Sequence, residues 1–197
     1  MIESLQHTDH NPAKAIRKEF FAYRNGIIAD KLRRAGDPHT IIMGCLLVDV
    51  INIARKFRDD IHDSKERAAL AQELWNDTLS RECRLAAPMI YPPELMAHDL
   101  AMAWCQDIET VEVADNLCHK LLRHASDCME ISSTLIASQD AMMKYTGYRL
   151  LLNLLLLGKA HPSEYLKKAV NDDLSSAQPP LTSLLQDVME ELNNPQE

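Results

Sequence analysis

The stretch A-W-C-Q-D-I-E-T-V-E-V-A-D-N-L-C-H-K-L-L-R-H-A-S, residues 103–126, predicts a short turn followed by one strongly amphipathic helix. Apolar residues recur in it at intervals of three and four, the spacing of one buried helical face. They are Val111, Ala114, Leu117, Cys118 and Leu121. The opposite, polar stripe comprises Glu109, Glu112, Asn116, His119 and Arg123. This pair of carboxylates one turn apart, just after Trp104, is the first candidate site, although such a stripe is more often a solvated helix face.

Around this helix, the chain shows a repeat. Three turn aspartates, Asp77, Asp107 and Asp140, are 30 and 33 residues apart, and each is predicted to follow a shorter helix and precede a longer one. Helix pairs at this period are typical of α-solenoids, in which each pair buries its apolar face by stacking on the next. The sequence therefore predicts an all-α fold, a right-handed α-solenoid of antiparallel helix pairs.

Local signals place the helix ends. Asn11-Pro12 predicts a cap and a first helical residue, and Asn25-Gly26 predicts an interruption of the helix that follows. Residues 40–58 are predicted to be helical from about residue 46, while the pattern of their first half leaves helix and extended chain open. Pro92-Pro93 predicts the start of a helix that continues through Trp104, and the central helix is expected to run over residues 109–124.

Composition favours a cytoplasmic protein of one domain. Of the 197 residues, 46% are hydrophobic and 25% are charged, and there are only five glycines. The polar start of the chain predicts no secretory signal, and the longest apolar run, residues 150–157, is too short for a membrane helix. We expect a single domain over residues 1–197, with a flexible N-terminus (1–11) and an acidic C-terminal segment (175–197).

No motif indicates a metal or a cofactor. The five cysteines contain no C-x-x-C pair, and the eight histidines show no H-E-x-x-H spacing. The glycine-rich phosphate-binding loops of nucleotide enzymes are also absent from the sequence. We therefore expect neither a metal site nor a cofactor, and no membrane partner.

The net charge of −8 is unevenly distributed. Residues 1–60 carry ten Lys/Arg against eight Asp/Glu, whereas residues 161–197 carry two against seven. Nucleic-acid binders usually present a basic surface. The charge balance therefore opposes nucleic-acid binding unless the basic residues cluster on one face.

The second helix of each predicted pair is expected to line the concave face. Its exposed polar residues would be Arg81 and Arg84 in the first pair, Glu109, Glu112, Asn116 and His119 in the second, and Tyr145, Arg149 and Asn153 in the third. This stripe is either a binding groove or a set of salt bridges between repeats, which stabilise little.

Several segments resemble the DNA alkylation repair family, whose members are HEAT-like repeat DNA glycosylases, close to the AlkD type, that excise purines alkylated at N3 or N7. The similarity covers roughly residues 12–160. It rests on F-F-A-Y-R-N-G-I-I-A-D-K-L-R-R-A-G-D-P at 20–38, V-D-V-I-N-I-A-R at 48–55, L-W-N-D…R-E-C-R-L-A-A-P-M-I at 74–90, E-T-V-E at 109–112 and Tyr148-Arg149.

The resemblance implies roles for particular residues. The family's catalytic carboxylate falls on Glu112, where the family has an aspartate, and Ile108 stands where the family has an aromatic residue. A family arginine falls on Arg149. Double-stranded DNA is the implied partner, and the residues expected to contact it are Arg81, Arg84, Trp104, Glu109, Lys144 and Tyr145.

Two functions of different classes remain open at this point. The first is an alkylpurine DNA glycosylase that acts through Glu112 and Arg149. It predicts a positive surface that contains the basic residues of the N-terminal third, namely Lys14, Arg17, Lys18, Arg24, Arg33 and Arg34. The second is a non-catalytic HEAT-type scaffold for a protein partner, which predicts an acidic groove and an exposed apolar patch.

Overall fold

Every regular element in residues 11–194, the part of the chain that the computed structural model describes, is helical. This range contains eleven α-helices and two short 3₁₀ turns, and no β-strand. The all-α prediction is therefore confirmed, while residues 1–10 of the predicted N-terminal segment lie outside the described range. The α-helices are α1 (Pro12–Ala22), α2 (Gly26–Arg34), α3 (Leu47–Asp60), α4 (Ser64–Trp75), α5 (Arg81–Ile90), α6 (His98–Gln106), α7 (Val111–Lys120), α8 (Cys128–Ile136), α9 (Ala141–Leu156), α10 (Glu164–Leu174) and α11 (Leu181–Asn193).

The chain divides into two compact units after Tyr91. In the first unit, α5 packs against both α3 and α4, and α1 packs against the same two helices. In the second unit, α9 packs against α7, α8 and α11, while α6 packs against α8 and α10 against α11. Helix α9 contacts three other helices of this unit because its C-terminal half is strongly apolar: five leucines between residues 150 and 155 are buried.

Short polar side chains begin most of these helices, as the sequence predicts. Asn11 accepts a hydrogen bond from the backbone N–H of Lys14, and Pro12 follows it at the first helical position. Thr110 accepts from the N–H of Val113 at the start of α7. Such caps satisfy N–H groups that have no partner within the helix, which fixes where each helix starts.

Two predicted helix boundaries were wrong. After Pro92, a 3₁₀ turn (Pro93–Leu95) and an extended Met96 replace the predicted first turns, and α6 begins only at His98. Burial of Met96 favours this extended link, since its side chain is 2% exposed. At its other end, α7 stops at Lys120 rather than His124, because the chain turns to bury the consecutive residues 121 and 122.

The first half of residues 40–58 is extended, and a buried carboxylate holds it in place. Glu82 has no exposed surface and accepts hydrogen bonds from the backbone N–H groups of Met43, Gly44 and Cys45 at 3.0–3.2 Å. Arg81 donates to the same carboxylate at 3.1 Å. The charge of Glu82 is therefore fully compensated, and the carboxylate ties this loop to α5.

Gly44 is required at the centre of this loop. Its φ of +77° is in the region that favours glycine, and a Cβ atom there would lie 2.2 Å from the carbonyl oxygen of Asn25. The loop thus fits closely against the start of α2. No helix within residues 11–194 is long and apolar enough to cross a membrane.

Candidate functional site

The candidate catalytic carboxylate lies at the start of α7. Thr110 is the cap, so Glu112 is the second helical residue and belongs to the first turn, where its side chain is half-buried. Glu109 precedes the cap and is exposed. The positive end of the helix dipole stabilises a negative charge at the position of Glu112.

A hydrogen-bonded cluster joins α7 to α9 one turn further along. The Arg149 Nε atom lies 2.8 Å from Asp115 Oδ1, and the hydroxyl of Tyr145 donates to the same oxygen at 2.9 Å. Arg149 Nη2 donates in turn to the Tyr145 hydroxyl at 3.2 Å. We call these three residues the Asp115 cluster. It connects the family-matched arginine to the helix that carries Glu112.

The electrostatics of the Asp115 cluster follow from its partial burial. Burial raises the pKa of Tyr145 to about 12, and Asp115 adds to this effect while Arg149 opposes it. Burial alone would lower the pKa of Arg149, but the Tyr145 hydroxyl and the Asp115 charge raise it above the ordinary arginine value. Tyr145 is thus a neutral hydrogen-bonding group at physiological pH, and Arg149 is a permanent cation whose charge Asp115 balances.

Asp115 is a site residue that sequence reasoning missed. It lies three positions after Glu112, so the two carboxylates are neighbours on the helix surface, and Tyr145 and Arg149 are four apart on α9. These spacings are visible in the sequence. The pairing of Asp115 with α9 is not, because it depends on how α7 and α9 pack.

Lys144, a predicted DNA contact, forms a different connection. Its Nζ atom lies 2.8 Å from Asp173 Oδ1, and the hydroxyl of Tyr148 donates to Asp173 Oδ2 at 2.7 Å. Burial and the Asp173 carboxylate both raise the pKa of Tyr148. Lys144 and Tyr148 therefore fasten α9 to α10, and the lysine charge is largely compensated.

Much of the predicted exposed stripe is buried, so that part of the prediction was wrong. Arg81 is 4% exposed because it pairs with Glu82. Arg84 is 2% exposed because its guanidinium stacks on the Trp75 ring, 3.9 Å from the ring centre, and donates to the Trp75 carbonyl. Three further members of the stripe are also buried, namely Asn116, Tyr145 and Asn153.

Two residues that precede Glu112 in the sequence, the predicted DNA contact Trp104 and the family-matched Ile108, are also buried. Trp104 on α6 is 1% exposed, and Ile108 is 6% exposed. Of the predicted stripe on α7, Glu109 and His119 are exposed and Glu112 is half-buried. The side chains that reach the surface at the start of α7 are thus carboxylates, whereas the aromatic ring of Trp104 is covered.

Basic residues gather at the opposite end of α7. Arg123 donates to His119 Nδ1 and to His124 Nε2, each at 3.1 Å, and Lys159 donates to the Arg123 carbonyl at 2.8 Å. Burial, followed by the charge of Arg123, lowers the pKa of both histidines. The polar side of this region therefore changes from acidic at Glu112 to basic at Arg123.

The described residues contain neither a metal-ligand cluster nor a disulfide. Within residues 11–194, no group of three His, Cys, Asp or Glu side chains is placed to hold an ion. All five cysteines are buried free thiols.

Comparison with known proteins identifies the family. The model of the DNA alkylation repair enzyme family matches residues 16–173. Because the match covers most of the chain, this protein belongs to the DNA alkylation repair family. Searches of curated proteins and of solved structures found no match.

Proposed function

We propose that this protein is an alkylpurine DNA glycosylase that binds double-stranded DNA on the surface formed by α7 and α9. One observation carries the proposal: the family-matched Arg149 on α9 pairs with Asp115, on the helix that carries Glu112. Asp115 is one turn from Glu112 on α7, and its carboxylate lies 2.8 Å from Arg149 on α9. The Glu112 carboxylate and the Arg149 cation therefore lie on two helices that Asp115 joins.

The reaction needs little from the protein beyond a positioned negative charge. A purine alkylated at N3 or N7 is already cationic, so it leaves without protonation by a general acid. As the glycosidic bond breaks, the bonding electrons leave with the base and the sugar acquires oxocarbenium character. In the proposed mechanism, Glu112 stabilises this cation and orients the water that adds to the sugar carbon. The proton that this water loses on addition passes to the Glu112 carboxylate and from there to solvent.

Arg149 is proposed to hold the DNA backbone beside the reacting nucleotide. Its guanidinium is fixed by Tyr145 and Asp115, which leaves N–H groups for a phosphate oxygen. Phosphate binding must compete with Asp115 for the same charge. Lys144 faces the equivalent competition from Asp173. We therefore expect weak, strongly salt-dependent binding to undamaged DNA.

We further propose that the helix pairs stack as a right-handed HEAT-like solenoid that forms one domain. The packing of alternate helices within the second unit supports this arrangement, since α7 contacts α9, α9 contacts α11 and α6 contacts α8. In such a stack, the second helix of each pair lies beside the second helix of the next. Of the predicted DNA contacts, the exposed Glu109 stays within this proposal. Arg81, Arg84 and Trp104 are at most 4% exposed, so their side chains are not available to a duplex.

A non-catalytic scaffold is the second candidate, and the charge balance favours it. The carboxylates of Asp115 and Asp173 offset Arg149 and Lys144, in a chain whose net charge is −8. An acidic surface of this kind repels DNA and suits a protein partner. Base release from DNA that carries N7-methylguanine or N3-methyladenine separates the two candidates, because only the glycosylase frees the base.

A further inference from the structure

An open hollow of about 440 Å³ lies on the first unit, between the end of α1, the start of α2 and the extended loop before α3. Its lining combines two arginines with apolar and aromatic side chains. The residues that define it here are Phe21, Arg24, Arg33, Ile41, Ile42 and Met43. We call it the Phe21 hollow. It contains none of the residues assigned to the reaction above.

An arginine stacked on an exposed aromatic ring forms one side of this hollow. The Arg24 guanidinium carbon lies 4.1 Å from the centre of the Phe21 ring, and Arg24 Nη1 donates to the Phe21 carbonyl at 3.0 Å. Phe21 is nevertheless 56% exposed. Part of the ring therefore stays accessible although Arg24 stacks on it, and a planar group can pack against that exposed part.

A second guanidinium is fixed on the other side. Arg33 Nη2 donates to the Ile42 carbonyl at 3.2 Å, and Arg33 Nη1 lies 3.3 Å from Asp30 Oδ1. A guanidinium has five N–H groups, so these bonds orient Arg33 and still leave donors for an anion. The hollow therefore combines a flat apolar surface with two oriented cations.

The segment that builds the hollow is strongly basic. Residues 11–34 contain seven Lys/Arg and two Asp/Glu, in a protein whose net charge is −8. Lys14, Lys18, Lys31 and Arg34 in this segment are exposed. Positive charge concentrated on one part of an acidic protein is the electrostatic signature expected where a polyanion binds.

We propose that the Phe21 hollow binds an unpaired nucleobase of DNA together with its neighbouring phosphate. The base stacks on the part of the Phe21 ring that Arg24 leaves exposed, and Arg24 and Arg33 bind the phosphate oxygens. Stacking on an aromatic ring beside arginines is the general way in which proteins hold single-stranded nucleic acid. The inference rests on the proposed function for the identity of the polymer, but it concerns a separate surface.

The test is the affinity of the full chain for a fluorescein-labelled, single-stranded oligothymidylate, measured by fluorescence anisotropy at low salt. The informative variants are Phe21→Leu, which keeps an apolar side chain but removes the ring, and Arg33→Gln. The matched control is Arg58→Gln, which removes an exposed arginine of α3 in the same unit. Circular dichroism confirms that each variant is folded.

We expect Phe21→Leu to weaken binding about fivefold or more, in line with the usual contribution of one stacked base. Arg33→Gln should lower the salt dependence of binding by about 0.7 in log–log slope, the value for one phosphate contact on a single strand. Arg58→Gln should leave both quantities unchanged. Equal affinities for wild type, Phe21→Leu and Arg33→Gln would overturn the inference.

The outcomes distinguish this inference from the proposed function. Suppose that wild type binds the oligonucleotide and releases alkylated bases while Phe21→Leu and Arg33→Gln bind with the same affinity. The hollow is then not a DNA site, and the glycosylase proposal is supported. If the variants lose affinity for the single strand while wild type releases no base, the DNA site in the hollow is supported and the glycosylase proposal is contradicted. The hollow could instead bind an acidic peptide. If it does, and if neither single-stranded nor duplex DNA displaces that peptide, the assignment to nucleic acid is overturned.

Discussion

Asp115 and Arg149 form an ion pair of 2.8 Å between α7 and α9. The pair places a negative charge one turn from Glu112 and fixes the orientation of the family-matched arginine. Asp115 touches neither the substrate nor the reacting atoms in the proposed mechanism, so it is a positioning residue. Its effects on DNA affinity and on the reaction should therefore be separable.

We predict that Asp115→Asn strengthens binding to duplex DNA severalfold at low salt. The substitution removes a carboxylate that competes with phosphate for Arg149, while the asparagine oxygen can still accept from Tyr145. Anisotropy titrations over a range of salt concentrations measure the change, with Asp187→Asn on the exposed side of α11 as the control for net charge. Equal gains in both variants would show that general repulsion, rather than the pair, limits binding.

Glu82 should be far more important for stability than an exposed carboxylate. It accepts three backbone N–H groups and pairs with Arg81, so Glu82→Ala leaves a buried cation and an unsupported loop. We expect a loss of about 3–5 kcal/mol in the free energy of unfolding. Urea unfolding checks this against Glu73→Ala, which removes the exposed partner of Arg17 and should cost about 0–1 kcal/mol. Similar losses would contradict the assigned role of Glu82.

The cysteines should resist modification in the folded protein. Burial raises the pKa of Cys45 and Cys105 to about 12 and that of Cys83 to about 11. At about pH 8, these thiols are therefore almost entirely protonated and shielded from reagents. A disulfide reagent that reports thiolate release should react slowly with the native protein in buffer. In urea, where the protein is unfolded, it should react with all five cysteines. Rapid reaction of the native protein would contradict this packing.

Acid should destabilise the basic end of α7. Burial and Arg123 lower the pKa of His119 and His124. As the pH falls below 6.5, these histidines therefore bind protons in the unfolded chain before they do so in the folded chain. The stability they contribute is fully present above the ordinary histidine pKa of 6.5 and is lost as the pH falls through the lowered values. The variant His119→Asn/His124→Asn should lose less stability than wild type between about pH 7.5 and pH 5.5. An identical pH dependence of urea unfolding in wild type and in the double variant would contradict this role of the two histidines.

The helices could be predicted from the sequence because their signals are local. Capping residues such as Asn11, Ser80 and Thr110 lie next to the first apolar residue of each periodic run, so one turn of sequence suffices to place a helix start. The errors occurred where packing overrides local preference. Met96 leaves the helix to be buried, and Leu121 ends α7 so that two consecutive leucines face the core.

The candidate site was harder to predict, because exposure depends on partners that are distant in sequence. Arg81 and Arg84 have the helical spacing of a surface stripe. They are nevertheless buried, since Glu82 holds a loop of residues 43–45 beside one and Trp75 provides a ring for the other. Asp115 was overlooked for the converse reason, because its role depends on two residues of α9, 30 and 34 positions later.

The most direct test of the account is single-turnover release of N7-methylguanine and N3-methyladenine from duplex DNA, comparing wild type with Glu112→Gln and Glu109→Gln. Glutamine preserves the size of the side chain and removes the charge that would stabilise the sugar cation. Wild type should release both bases, Glu109→Gln should stay close to wild type, and Glu112→Gln should be slower by a factor of about a hundred or more. Release that is unaffected by Glu112→Gln, or absent from wild type, would contradict the central claim.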